Sequence, residues 1–89
     1  MSADELETAL AELRTARDMV DGEAEERLDT LVGKVERALD AGRTLDHGAL
    51  ARITRTLEEV AEDADEETAS QLLDAKQAVS TYREGVPGA

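Results

Sequence analysis

The feature that most constrains the fold is a run of apolar residues between Asp46 and Ala64, separated in turn by three and four positions. These apolar residues are Leu50, Ile53, Leu57, Val60 and Ala64. Such spacing places them on one face of an amphipathic helix. The same spacing occurs 44 residues earlier, at Leu6, Ala9, Leu13, Ala16 and Val20. The chain therefore reads as a helical hairpin written twice, although helical periodicity alone can mimic a duplication.

The first half is predicted to contain two helices. Ser2 and Glu5 have the spacing of a capping box, which begins helix 1, and the helix is expected to run to about Val20. Asp21 and Gly22 then end it. Helix 2 follows over residues 23–41, and its apolar face consists of Leu28, Leu31, Val32, Val35, Ala38 and Leu39. Together these helices form hairpin 1, at about residues 3–41.

The second half is predicted to form hairpin 2, at about residues 46–84. Asp46 caps helix 3, Asp65 caps helix 4 and Gly85 ends it. The inward positions of helix 4 are Thr68, Leu72, Ala75, Val79 and Tyr82. Residues 86–89 contain Pro87 and cannot continue the helix, so we expect a frayed tail.

Short connections make consecutive helices antiparallel neighbours. We therefore predict one domain over residues 1–85, an all-α up-down antiparallel four-helix bundle built from two helical hairpins. The core is thin, because Tyr82 is the single aromatic residue in the chain. The alternative is that the hairpins are splayed apart and completed by an intertwined dimer.

The charge of the chain limits its partners. It carries 22 carboxylates against 10 Lys and Arg, which gives a formal net charge of −12. Such a surface repels nucleic-acid phosphates and anionic membranes, so we expect no direct binding to nucleic acid or membrane. Salt would screen the self-repulsion, which favours a salt-adapted, cytoplasmic setting. The sequence contains no cysteine, no secretory signal and no apolar run long enough to cross a membrane.

Acidic residues are predicted to gather at one end of the bundle. In an up-down arrangement the turns at residues 18–26 and 62–67 lie together, while Arg43, His47 and Arg83 lie at the opposite end. The acidic end is either a docking surface for a basic partner or hydrated cations, or a solvated surface suited to high salt. The candidate interaction residues are Asp18, Asp21, Glu23, Asp63, Asp65 and Glu66.

Catalytic and metal sites are not predicted. A calcium loop starting at Asp63 fails, because Thr68 stands where the loop needs Gly and Asp74 where it needs Glu. Di-iron chemistry needs Glu-x-x-His pairs, but His47 is the one histidine and Thr44 precedes it by three. We expect His47 to be an exposed residue in the first turn of helix 3. The chain is predicted not to be an enzyme and to hold no cofactor.

Three helix-surface features have separate predictions. Arg55 is expected to pair with Glu59, one turn along helix 3. Leu73 lies at the edge of the buried face of helix 4, where it either packs at the flank or forms part of a sticky edge. Gly33 is expected on the solvent side of helix 2.

Residues 46–85 resemble the C-terminal half of small acidic proteins of halophilic archaea, grouped as domains of unknown function. Those proteins have a leucine-spaced helix, an acidic turn and an Ala-rich helix that ends in Tyr-Arg. The matching residues are Leu50, Leu57, Asp65, Ala75, Tyr82 and Arg83. The resemblance implies a haloarchaeal cytosolic protein, and it brings no active site to this chain.

The sequence thus predicts a non-enzymatic protein-interaction or scaffold module of a salt-adapted cytosol. It is expected to bind another protein, or a second copy in a homodimer, through a helix face. The alternative function is an acidic decoy, which binds a basic nucleic-acid-binding protein through the charged end.

Overall fold

The computed structural model describes residues 3–87, and this part of the chain forms four helices and no strand. The helices are α1 (Ala3–Arg17), α2 (Gly22–Ala41), α3 (His47–Glu62) and α4 (Glu66–Glu84). Helix α4 packs against α1 and α3, and α1 packs against α2, while α2 and α3 make a smaller contact with each other. This confirms the prediction of an all-α four-helix bundle. None of these helices is both long enough and apolar enough to cross a membrane.

The apolar faces predicted from the spacing form the core. Along α3 and α4 the buried residues are Leu50, Ile53, Leu57, Val60, Thr68, Leu72, Ala75, Val79 and Tyr82. Along α1 and α2 they are Leu6, Ala9, Leu10, Leu13, Ala16, Leu28, Leu31, Val32, Val35 and Ala38. The apolar faces of both hairpins are therefore buried within one chain, so a second chain is not needed to cover them.

Helix α1 is shorter than predicted. It ends at Arg17 rather than near Val20, because the backbone tightens into a turn in which the Met19 N–H donates to the Ala16 carbonyl at 3.0 Å. Val20 lies in this turn and is only partly buried. The turn brings Asp18 and Asp21 to the end of the bundle.

The two hairpins correspond at a shift of 44 residues. Helix α4 begins 44 residues after α2. Buried positions also correspond, for example Leu13 with Leu57 and Leu28 with Leu72. The structural repeat therefore extends over both helices of each hairpin, while a common origin of the halves stays a prediction.

The N-caps of α3 and α4 are those predicted. The Asp46 carboxylate accepts a hydrogen bond from the Ala49 N–H at 2.7 Å, and the Asp65 carboxylate accepts one from the Thr68 N–H at 2.8 Å. Asp21 occupies the equivalent position before α2 but makes no side-chain cap. The predicted capping box of helix 1 involves Ser2, which lies outside the described residues.

Gly42 is the C-cap of α2, and its φ of 65° is a left-handed conformation that glycine adopts readily. Its N–H donates to the Leu39 carbonyl at 3.2 Å, and the Arg43 N–H donates to the Ala38 carbonyl at 2.8 Å. This pair of hydrogen bonds forms a Schellman motif, which fixes the direction in which the chain leaves the helix.

Three surface and terminal features complete the fold. Leu73 is 57% exposed, so its edge position faces solvent. Gly33 is half-buried beneath the Arg37 side chain rather than open to solvent, and a Cβ atom built on it would lie 3.3 Å from Arg37 Nη1. In the tail that was predicted to be frayed, Val86 packs against the core, and Gly88 and Ala89 lie outside the described residues.

Candidate interaction surface at the acidic end

An open cleft of about 460 Å³ lies between the α1–α2 turn and the α3–α4 turn. We call it the acidic cleft. Four of the six predicted interaction residues line it, namely Asp21, Glu23, Asp63 and Asp65. They come from two turns that are far apart in the sequence, and the bundle brings them together because both turns lie at the same end.

The other two predicted residues do not line this cleft. Asp18 lies in a neighbouring depression with Arg17 and Asp29, where Arg17 Nη1 is 3.0 Å from the Asp29 carboxylate. This hydrogen bond to Asp29 raises the pKa of Arg17. Arg17 Nε also lies 3.5 Å from the Asp18 carboxylate, so Arg17 partly neutralises Asp18. Glu66 is the exposed first residue of α4, beside Asp65.

The lining of the acidic cleft is mainly polar, but it also includes five apolar residues. They are Met19, Val20, Ala24, Val60 and Ala64. Val60 belongs to the buried core, and Val20, Ala24 and Ala64 pack against that core. The apolar spacing in the sequence had placed Val20, Val60 and Ala64 inward. It could not show that an opening between the two turns would leave them accessible to a ligand.

An ion pair between α2 and α3 also lines the cleft. Arg27 Nη2 donates to the Glu59 carboxylate, so the prediction that Arg55 pairs with Glu59 is wrong. Arg55 makes no ion pair with any residue in 3–87. The reason is tertiary, since α2 lies beside α3 and brings Arg27 to Glu59. The feature of the sequence that could have indicated this pairing is the position of Arg27 at the edge of the apolar face of α2.

The carboxylates of the cleft differ in their hydrogen bonding. The Thr68 N–H, which donates to Asp65, lowers the pKa of that carboxyl below its ordinary value. The Asp21 carboxylate makes no such bond to its helix. Asp65 is thus held in place by its cap, whereas Asp21 is available to a bound group.

Chemically, the acidic cleft suits a cationic side chain. Lys and Arg bury an aliphatic stem against apolar surface and keep the charged head among polar groups. The apolar residues and the carboxylates that line the cleft provide both environments. In the described part of the chain, no group of three or more His, Asp or Glu side chains is placed to hold a metal ion.

The opposite end of the bundle contains the predicted cations. Arg83 Nε donates to His47 Nδ1 at 3.1 Å, so the imidazole carries its proton on Nε2, which donates to the Val86 carbonyl at 3.2 Å. His47 lies in the first turn of α3 as predicted, but these contacts leave it half-buried rather than exposed. Tyr82 closes the core here, and its hydroxyl accepts from the Leu45 N–H at 3.3 Å.

One comparison with known proteins gives a match. A family model described as a family of unknown function (DUF7553) matches residues 1–85. The match extends beyond residues 46–85, over which the sequence resembled proteins of unknown function. No curated protein and no solved structure matches the chain.

Proposed function

We propose that this chain, which belongs to DUF7553, a family of unknown function, is a non-enzymatic protein-interaction module. The proposal is based on the surface of the chain itself. Its binding site is the acidic cleft, and its partner is a protein that presents a basic segment. The observation that supports this is the convergence of Asp21, Glu23, Asp63 and Asp65 in one cleft that apolar residues also line.

The position of the carboxylates supports binding at this end. Negative charge is unfavourable beside a helix C-terminus, yet Glu62 ends α3 and Asp63 is its C-cap. A basic segment that docks in the cleft would offset this repulsion.

The helix faces offer a partner little apolar surface. Leu73 is the one large hydrophobic residue that is exposed in the described part of the chain. A single exposed leucine is ordinary on a protein surface and does not form a docking patch. Binding through an apolar helix face would therefore bury little, and the cleft is the better candidate.

The proposed setting is a salt-rich cytosol, such as that of a halophilic archaeon. The net charge of −12 and the resemblance to acidic haloarchaeal proteins support it. In 1 M salt the Debye length is about 3 Å, so only charges in direct contact attract appreciably. Binding under those conditions needs carboxylates in contact with the cation and apolar area to bury, and the cleft supplies both.

A pull-down with matched variants tests the proposal. The tagged full chain is exposed to halophile lysate in molar KCl, beside Asp21→Asn/Asp63→Asn/Asp65→Asn and the control Glu7→Gln/Asp74→Asn/Glu84→Gln. Each variant loses three charges, and the control positions are exposed and lie outside the cleft. Asn caps a helix about as well as Asp, so the fold is retained, which circular dichroism verifies.

The expected result is a basic protein that is enriched by the wild type and the control but lost with the cleft variant. Equal enrichment by all three proteins would place binding elsewhere, and no enrichment by the wild type would contradict the interaction role. The same experiment addresses the decoy hypothesis. A captured nucleic-acid-binding protein that is released from DNA by the wild type would support it, and a partner that binds the module without leaving DNA would oppose it.

A further inference from the structure

A second open cavity, of about 450 Å³, lies at the end opposite the acidic cleft. Its walls are mainly apolar and come from α1, α2 and α4, from the connection between α2 and α3, and from the segment after α4. Leu6 of α1, Leu39 of α2 and Tyr82 of α4 contribute to it, together with Val86. Leu6 and Tyr82 belong to the buried core, whereas Leu39 and Val86 are only partly buried. The cavity is therefore apolar surface that the described chain leaves accessible.

The polar groups of the cavity are a cation and hydroxyls. Arg43 lies at its edge, and no carboxylate of residues 3–87 lies within 4.0 Å of the Arg43 side-chain nitrogens. The Arg43 backbone is fixed, because its N–H donates to the Ala38 carbonyl. Tyr82 uses its oxygen to accept from the Leu45 N–H, so its hydroxyl proton is available to a ligand. Thr44 adds a second hydroxyl at the edge.

From this arrangement we propose that the cavity binds a small aliphatic carboxylate. The guanidinium of Arg43 presents two parallel N–H donors to a carboxylate, which is the geometry that arginine favours. The aliphatic part of the ligand packs on Leu6, Leu39 and Val86. The volume falls in the range of small-molecule sites, about 300–1,000 Å³.

The charge of the ligand follows from the charge of the protein. One unpaired guanidinium matches one negative charge. The net charge of −12 opposes ligands with more, such as phosphate monoesters. Arg43 would repel a cationic ligand, and the described residues that line the cavity include no carboxylate to compensate. The site thus differs from the acidic cleft in the sign of the ligand it accepts.

The test is a titration of the full chain with octanoate, followed by amide chemical shifts and by calorimetry. Octylamine is the comparison ligand, because it has the same chain and the opposite charge. The variant is Arg43→Gln, and the matched control is Arg37→Gln, which removes a cation that lies over Gly33, outside the cavity.

We expect octanoate to saturate a single site, with shift changes at Leu6, Tyr82 and Val86, and octylamine to bind more weakly. Loss of a charge-assisted hydrogen bond predicts an affinity about tenfold lower in Arg43→Gln, with no change in Arg37→Gln. The proposal is overturned if octanoate does not saturate, if its shift changes lie elsewhere, if octylamine binds as tightly, or if both variants bind octanoate equally.

Discussion

The two ends of the bundle are alike in construction and opposite in chemistry. Each end has an open cavity, of about 460 Å³ at the acidic end and about 450 Å³ at the other. Because consecutive helices alternate in direction, each end also presents two helix N-termini and two C-termini, so the helix dipoles balance. The fold therefore does not require the difference in charge. It comes from the choice of side chains, and this is why we place the interaction function at the acidic end.

Two kinds of acidic residue lie at the acidic end. Asp65 and Glu66 lie at the N-terminus of α4, where negative charge is favourable. Glu62 and Asp63 lie at the C-terminus of α3, where it is unfavourable. The helix dipole explains the negative charge of the first pair. It does not explain that of the second pair, which ligand binding would explain.

The largest predicted effect is the loss of stability when a side chain that closes the core at one end of the bundle is truncated. Tyr82→Ala should lower the free energy of unfolding by about 3–5 kcal/mol, because it empties a buried aromatic site. Val60→Ala, at a residue that lines the acidic cleft, should cost less, about 1–3 kcal/mol, since the side chain is smaller. Urea denaturation measures both. If Tyr82→Ala lowers the free energy of unfolding no more than Val60→Ala does, the end opposite the acidic cleft must collapse around the missing ring.

The next effect compares the equivalent aspartates of the two hairpins. Asp65→Ala should destabilise the chain more than Asp21→Ala, because Asp65 caps its helix through its side chain and Asp21 does not. The pKa of Asp65 is lowered in the folded state, so its contribution is present at neutral pH and is lost as pH falls through that lowered pKa.

Thermal unfolding of the wild type and Asp65→Ala across acidic to neutral pH follows this loss. The difference in stability between the two proteins should shrink toward the acidic limit. A difference that does not change with pH would mean that the carboxylate charge plays no part in the cap.

A smaller effect tests the helix dipole within the acidic end. Glu62→Gln/Asp63→Asn should stabilise the chain at low KCl, whereas Glu23→Gln/Glu66→Gln should destabilise it, by about 0.3–1 kcal/mol per charge. Both pairs remove two charges from the same end, and both effects should shrink in molar KCl. If both pairs stabilise the chain, general repulsion within the −12 charge outweighs the dipole.

The smallest effect is expected at Leu73. Leu73→Gln should change the free energy of unfolding by no more than about 0.5 kcal/mol, because the side chain is 57% exposed. It should also leave capture of a basic partner unchanged. Loss of that capture would transfer the binding site from the acidic cleft to the surface of α4.

The core was predictable from the sequence because helical spacing alone decides which side chains share a face. Leu13, Leu57 and Leu72 are buried as their spacing required. Asp46 and Asp65 were also predictable, since an N-cap depends on residues three positions apart. The convergence of the two acidic turns followed from the up-down topology.

Features that depend on which helices are neighbours were not predictable. The pairing of Arg27 with Glu59 needs α2 beside α3, and the half-burial of His47 needs Arg83 from another helix. Local spacing suggested Arg55 for Glu59 and an exposed His47. The two cavities are likewise lined by residues from several helices and connections, which spacing along one helix does not contain.

Binding of a basic segment in the acidic cleft can be measured by titrating the ¹⁵N-labelled chain with a lysine-rich peptide and with a control peptide that has Gln at every Lys position. We expect saturable amide shift changes at Val20, Ala24 and Ala64 with the lysine-rich peptide and none with the control. Shift changes that are spread over the whole surface, confined to the opposite end, or equal for both peptides would show that the acidic cleft is not the binding site.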